Sequence, residues 1–122
     1  MVFRVSRLRK EWLNILFNAV FAVLTLIITI LFYRSVWLAV SLLLIVTAIG
    51  LLKWRSPLVI FVFLFGALFG TFSEIVAIRY GIWTYAVSNV AGVPFWLFLV
   101  WGNAAMFFYQ MAVEFERLGF HR

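Results

Sequence analysis

The run LVIFVFLFGALFGTFSEIVAI, residues 58–78, decides the fold. It contains one ionisable side chain, Glu74, and no proline. At a rise of about 1.5 Å per residue, a helix of this length covers about 30 Å, the thickness of a bilayer's hydrocarbon core. The run therefore predicts a transmembrane helix, and an acid placed inside it is costly enough to mark a candidate functional position.

Three further runs on either side satisfy the same criterion, at 12–32, 36–52 and 95–113. The second is short and is expected to stand nearly upright. Four such segments cannot close a barrel, and backbone groups in lipid must be satisfied within each segment, so each run predicts a helix. Tyr33-Arg34-Ser35 is a tight turn that makes a hairpin of the first pair. Lys53-Trp54-Arg55-Ser56-Pro57 ends the second run, and Pro57 suits the first turn of the third helix. Pro94, after Gly92, is expected to do the same for the fourth. Residues 79–94 form the long loop. The fold class expected is all-α, a single membrane domain of four transmembrane helices, with no internal repeat.

Composition agrees. Of 122 residues, 67% are hydrophobic and 11% charged, with a mean hydropathy of +1.15; a soluble domain carries about 25% charged residues. There is no cysteine, and the single histidine is His121, so no disulfide, thiolate ligand, two-His metal site or His-based triad is expected within the chain. Neither metal nor cofactor is expected. The net charge of +6 does not point to nucleic acid, because the basic residues cluster at the ends of the apolar runs, where they set topology.

Eight of the ten basic residues fall on one side: Arg4, Arg7, Arg9, Lys10, Lys53, Arg55, Arg117 and Arg122. Arg34 and Arg79 fall on the other. The positive-inside rule then places both termini in the cytoplasm, most simply across a prokaryotic cytoplasmic membrane. The basic opening resembles a signal-peptide n-region. The apolar run behind it is a full span without a small-residue cleavage site, so it reads as a retained helix.

Polar and small residues repeat at helical spacing and mark inward faces. Asn14, Asn18, Ala22, Thr25 and Thr29 line one face of the first helix. Trp96, Asn103 and Gln110 recur every seven residues on the fourth, with Val100, Phe107 and Glu114 completing that face. Gly66, Gly70 and Glu74 lie four apart on the third. The simplest reading of each stripe is packing. Gly66-x-x-x-Gly70 is a small-xxx-small contact that suits another helix or self-association.

Glu74 is expected about 6 Å below the loop-side boundary, with Asn103 about 12 Å below it. Trp101 and Asn103 lie in the adjoining half of the fourth helix. The loop aromatics Tyr80, Trp83 and Tyr85 suit interfacial anchoring, or equally a roof over Glu74. One pocket containing Glu74, Trp83, Tyr85 and Asn103 is the expectation.

Residues 70–102 read GTFSEIVAIRYGIWTYAVSNVAGVPFWLFLVWG. The frame of Glu74, Gly81-x-Trp83-x-Tyr85, Gly92-Val93-Pro94-x-Trp96 and Trp101-Gly102 resembles that of a group of small bacterial and archaeal integral membrane proteins. It is more distantly similar to membrane-embedded carotenoid-modifying proteins of the carotenoid hydratase type. The resemblance implies that Glu74 and these aromatics are the residues to test.

Three functions compete. The first is a non-catalytic accessory subunit or helix-packing module, whose partners are membrane lipid and other subunits or a second copy. The second is an isoprenoid- or lipid-modifying enzyme with Glu74 as general acid, and with Tyr80, Trp83, Tyr85, Trp101 and Asn103 around the substrate, their aromatic faces stabilising a carbocation. The third is a small dimeric transporter. Small multidrug transporters share this length and span number but place their glutamate in the first span, where this chain has Asn14 and Asn18.

Overall fold

The structure, a computed structural model, describes residues 2–119, with side chains from Arg9 onward. His121, Arg122 and the side chains of Arg4 and Arg7 lie outside that description. Four helices follow in order: α1 (Val2–Phe32), α2 (Val36–Trp54), α3 (Pro57–Arg79) and α4 (Trp96–Arg117). All four are long and apolar enough to cross a membrane. The only β feature among the described residues is an isolated bridge between Val90 and Val93.

The helices extend past the apolar runs at several ends. α1 begins ten residues before Trp12, and α4 continues through Glu114-Phe115-Glu116-Arg117. Helix formation does not stop where hydropathy falls, and Glu and Arg are good helix formers. Pro57 occupies the first turn of α3, where Ser56 caps the helix by accepting from Leu58 N at 3.2 Å. Pro94 differs from expectation: α4 starts at Trp96, so Pro94 lies ahead of the helix, and its carbonyl accepts from Leu97 N.

The surface differs from that of a water-soluble bundle. Large apolar side chains face outward on every helix; on α3, Phe61 is 68% exposed, and Phe65, Phe69 and Phe72 are also exposed. The interior holds Asn18, Thr25, Thr47, Thr71, Asn103, Gln110, Glu11 and Glu114 among a larger set of buried apolar residues. Such a surface is poorly matched to water and well matched to lipid.

α4 is the hub. It packs on all three other helices, whereas α1 and α3 do not meet among the described residues. Glycines set the close approaches. A Cβ at Gly66 would overlap Ala105, one at Gly70 the Trp101 indole, and one at Gly102 the Phe63 ring. The contact expected at Gly66 and Gly70 is therefore made within the chain, by α4. At the end that carries the termini, Phe17 and Phe21 of α1 pack edge-on against Trp54 of α2.

Candidate functional site: a tethered glutamate beneath the loop

Gly70 and Glu74 lie one turn apart on the same face of α3. Because Gly70 has no side chain, the Trp101 indole of α4 lies across α3 at that level. From there Trp101 Nε1 donates to Glu74 Oε2 at 2.8 Å. The same oxygen accepts the Tyr85 hydroxyl at 2.6 Å. Glu74 is partly buried, and its Oε1 has no partner among the described residues.

The loop is folded so that Tyr85 can reach back. α3 ends at Arg79, and Gly81, at φ 75°, takes the left-handed conformation open to a residue without Cβ. There Gly81 N and Ile82 N close onto Ile78 O and Ala77 O, both at 3.0 Å. Farther on, Ala91 and Gly92, at φ 50° and 88°, make the tight reversal between Val90 and Val93. Positive φ at both central residues is the signature of a type I′ turn. Asn89 fixes the return, accepting from Phe95 N through Oδ1 at 3.0 Å. Tyr85 packs edge-on against Trp96 at 6.0 Å, and Trp96 Nε1 donates to Tyr33 O in the α1–α2 turn at 3.0 Å. Glu74, Tyr85, Trp96 and Tyr33 thus connect α3, the loop, α4 and the first hairpin. Burial, then the hydrogen bond to Glu74, raises the Tyr85 phenol above its ordinary pKa.

The other residues of the expected pocket lie elsewhere. Asn103 does not join Glu74: its Oδ1 accepts from Thr47 Oγ1 of α2 at 2.7 Å, and its Nδ2 donates to Thr25 Oγ1 of α1 at 3.2 Å. Two positions on a helix differ by about 200° in direction, so Trp101 facing α3 turns Asn103 towards α1 and α2. Trp83 is 45% exposed and Tyr80 is 83% exposed; neither bonds to Glu74. The geometry groups Glu74 with Tyr85 and Trp101 alone.

A second polar group, at the opposite end, joins Asn14, Asn18 and Glu114, placed on inward faces from sequence, to Glu11, which was not. Glu11 and Glu114 are 4% and 2% exposed. Asn14 Nδ2 donates to Glu114 Oε2 at 3.5 Å, and Arg117 Nη1 lies 3.3 Å from Glu114 Oε1. The signal for Glu11 was present, since it continues the Asn14/Asn18 stripe by one turn. Its position just ahead of the apolar run hid Glu11.

A groove of about 220 Å³ runs between α1 and α4 at mid-length, lined by Ala22, Thr25, Leu26, Val100, Asn103 and Phe107 among others. Its two polar side chains, Thr25 and Asn103, are bonded to each other. No group of three or more His, Cys, Asp or Glu able to hold a metal ion occurs among the described residues. Comparison with protein-family models, with curated protein sequences and with solved structures finds no match to this chain.

Proposed function

We propose that the chain is a multi-pass protein of a prokaryotic cytoplasmic membrane, with both termini in the cytoplasm. In this reading it acts as a non-catalytic accessory subunit or helix-packing module. The observation that carries it is the engagement of Glu74: one carboxylate oxygen takes both the loop hydroxyl of Tyr85 and the indole of Trp101. An acid used in this way is a brace. Asn103, turned away from Glu74, is likewise spent on tying α1, α2 and α4 together. An outward surface of large apolar side chains on each helix suits contact with lipid and with other membrane subunits.

The second reading, a lipid- or isoprenoid-modifying enzyme of the kind the sequence resemblance implies, draws on one feature. Glu74 Oε1 carries neither of the two hydrogen bonds and remains available to donate or accept a proton.

Glu74→Gln and Glu74→Ala separate the two. Glutamine keeps a carbonyl oxygen that accepts from Tyr85 and Trp101; alanine keeps nothing. We expect Glu74→Gln to match the wild type in abundance and detergent melting temperature, with Glu74→Ala lower in both. Mild extraction and native mass spectrometry should find the chain bound in a fixed ratio to another membrane polypeptide. A lipid or isoprenoid species made with the wild type and lost with Glu74→Gln, at equal abundance, would establish the enzyme instead.

A further inference from the structure

The seam between α1 and α4, at the end that carries the termini, has more buried acceptors than donors. Asn14 meets Glu114, Asn18 meets Met111, and Thr25 meets Asn103, so the two helices run antiparallel in a regular register. That register places Glu11, one turn before Asn14, level with Arg117, one turn beyond Glu114.

Three acceptors on this seam lack what they need. Glu11, 4% exposed, makes no hydrogen bond or ion pair among the described residues, and its Oε2 is fully buried. Glu114, 2% exposed, has only long contacts: Asn14 Nδ2 at 3.5 Å and Arg117 Nη1 at 3.3 and 3.5 Å. Strong charge-assisted bonds are about 2.7–2.9 Å. Asn18, 1% exposed, points its amide into the seam, because Nδ2 reaches Met111 Sδ at 3.7 Å while the buried Oδ1 has no donor.

Charge is also unbalanced. Arg117, half-exposed, is the one basic side chain bonded to this group among the described residues. Arg9 and Lys10 are exposed, and Lys53 lies over the Phe17 ring. Among the described side chains, two buried carboxylates meet one bonded guanidinium, and a buried charge without a partner is costly. Amide and carboxylate oxygens are ligands for hard cations.

We propose that this seam binds a small monovalent metal cation of the sodium class, held between the Glu11 and Glu114 carboxylates with the Asn14 and Asn18 amide oxygens as neutral ligands. The ion offsets carboxylate charge and satisfies Glu11 Oε2 and Asn18 Oδ1, which have no donor among the described residues. It also clamps α1, which does not meet α3 among the described residues, to the hub helix. The site is independent of the brace at Glu74, at the far end of the bundle.

The test uses the full chain in lipid nanodiscs at fixed pH and ionic strength, with sodium chloride replacing choline chloride. A ligand that binds only the folded state raises the melting temperature as its concentration passes its dissociation constant. The wild type should show a saturable rise with sodium that Glu11→Gln lacks. Equal melting temperatures in sodium and choline would overturn the proposal, as would stability that follows pH but ignores sodium, which would put a proton on the seam. Should Glu11→Gln not fold, sodium calorimetry decides: the wild type should bind and Asn18→Leu should bind more weakly. Absent heat in the wild type, or equal affinity in both proteins, would refute the site.

Discussion

Glu74 and Glu114 are both acids on helix faces that pack inward, yet their surroundings differ in kind. Glu74 receives bonds of 2.6 and 2.8 Å from two aromatic donors, which are lengths typical of strong bonds to a carboxylate. The contacts of Glu114 are all 3.3 Å or longer. The first acid is tied and the second is held loosely. Tyr85 gives the tie a measurable consequence. Its folded pKa lies above the ordinary 10.0, so above about pH 10 the unfolded chain loses this proton while the folded chain keeps it. Stability then falls as pH rises, because the folded state binds more protons than the unfolded one. We expect the wild type to lose stability above about pH 10 more steeply than Tyr85→Phe, measured as detergent melting temperature across an alkaline series. Parallel curves for the two proteins would mean that the phenol is not held in this bond.

Among the elements, α4 carries the assembly, and two substitutions probe how. Gly70→Leu forces a branched side chain into the Trp101 indole, an overpacking that costs about 1–3 kcal/mol or more. Leu64→Ala, at an outward-facing position, should cost within about 0.5 kcal/mol. Equal melting temperatures for these two variants would place the glycine face away from α4. Asn103→Leu keeps the volume but removes the bonds to Thr25 and Thr47, at about 1–2 kcal/mol. Thr47→Val added to Asn103→Leu should then cost little more, since both remove one bond. Much of this level was legible in the sequence: the number of helices, the Pro57 start of α3 and the glycine face followed from apolar length, the place of proline in a first helical turn and four-residue spacing. The partners of the polar residues were not. Spacing along one helix reports which residues share a face, and only packing reports which helix that face meets, so Asn103 could be assigned to the wrong neighbour. Tyr85 met Glu74 as the loop aromatics suggested, but Trp83 did not, because the reversal at Gly81 and the turn at Ala91-Gly92 depend on backbone conformations that apolar patterning does not encode. Glu11 was missed for a related reason: hydropathy ends where charge begins, whereas the helix and its buried face continue.

At the scale of the whole molecule, an apolar surface over a core that carries buried polar residues gives the chain a preferred solvent, and the basic residues bias its direction. Phe61, Phe65, Phe69 and Phe72 would expose a continuous aromatic flank to water, whereas in lipid they meet chains as apolar as themselves. Direction rests on a different term: Lys and Arg near the ends of spans stay on the cytoplasmic side. Arg9, Lys10, Lys53, Arg55 and Arg117 gather at the end of the bundle that carries both termini, and Arg34 and Arg79 at the loop end. A reporter fused after Arg122 should therefore be active only in its cytoplasmic form, and one inserted at Ser88, exposed in the loop, only in its external form. The two fusions must report opposite sides, since α4 alone separates them. If both report the same side, α4 does not cross. If the C-terminal fusion is external and the Ser88 fusion cytoplasmic, the bundle is inverted, with the Glu74 brace facing the cytoplasm and the Glu11–Glu114 seam facing outward. Replacing Lys53 and Arg55 with Gln discriminates further. It removes two of the charges that by the positive-inside rule favour a cytoplasmic α2–α3 turn, and should raise the fraction of inverted chains without altering the fold.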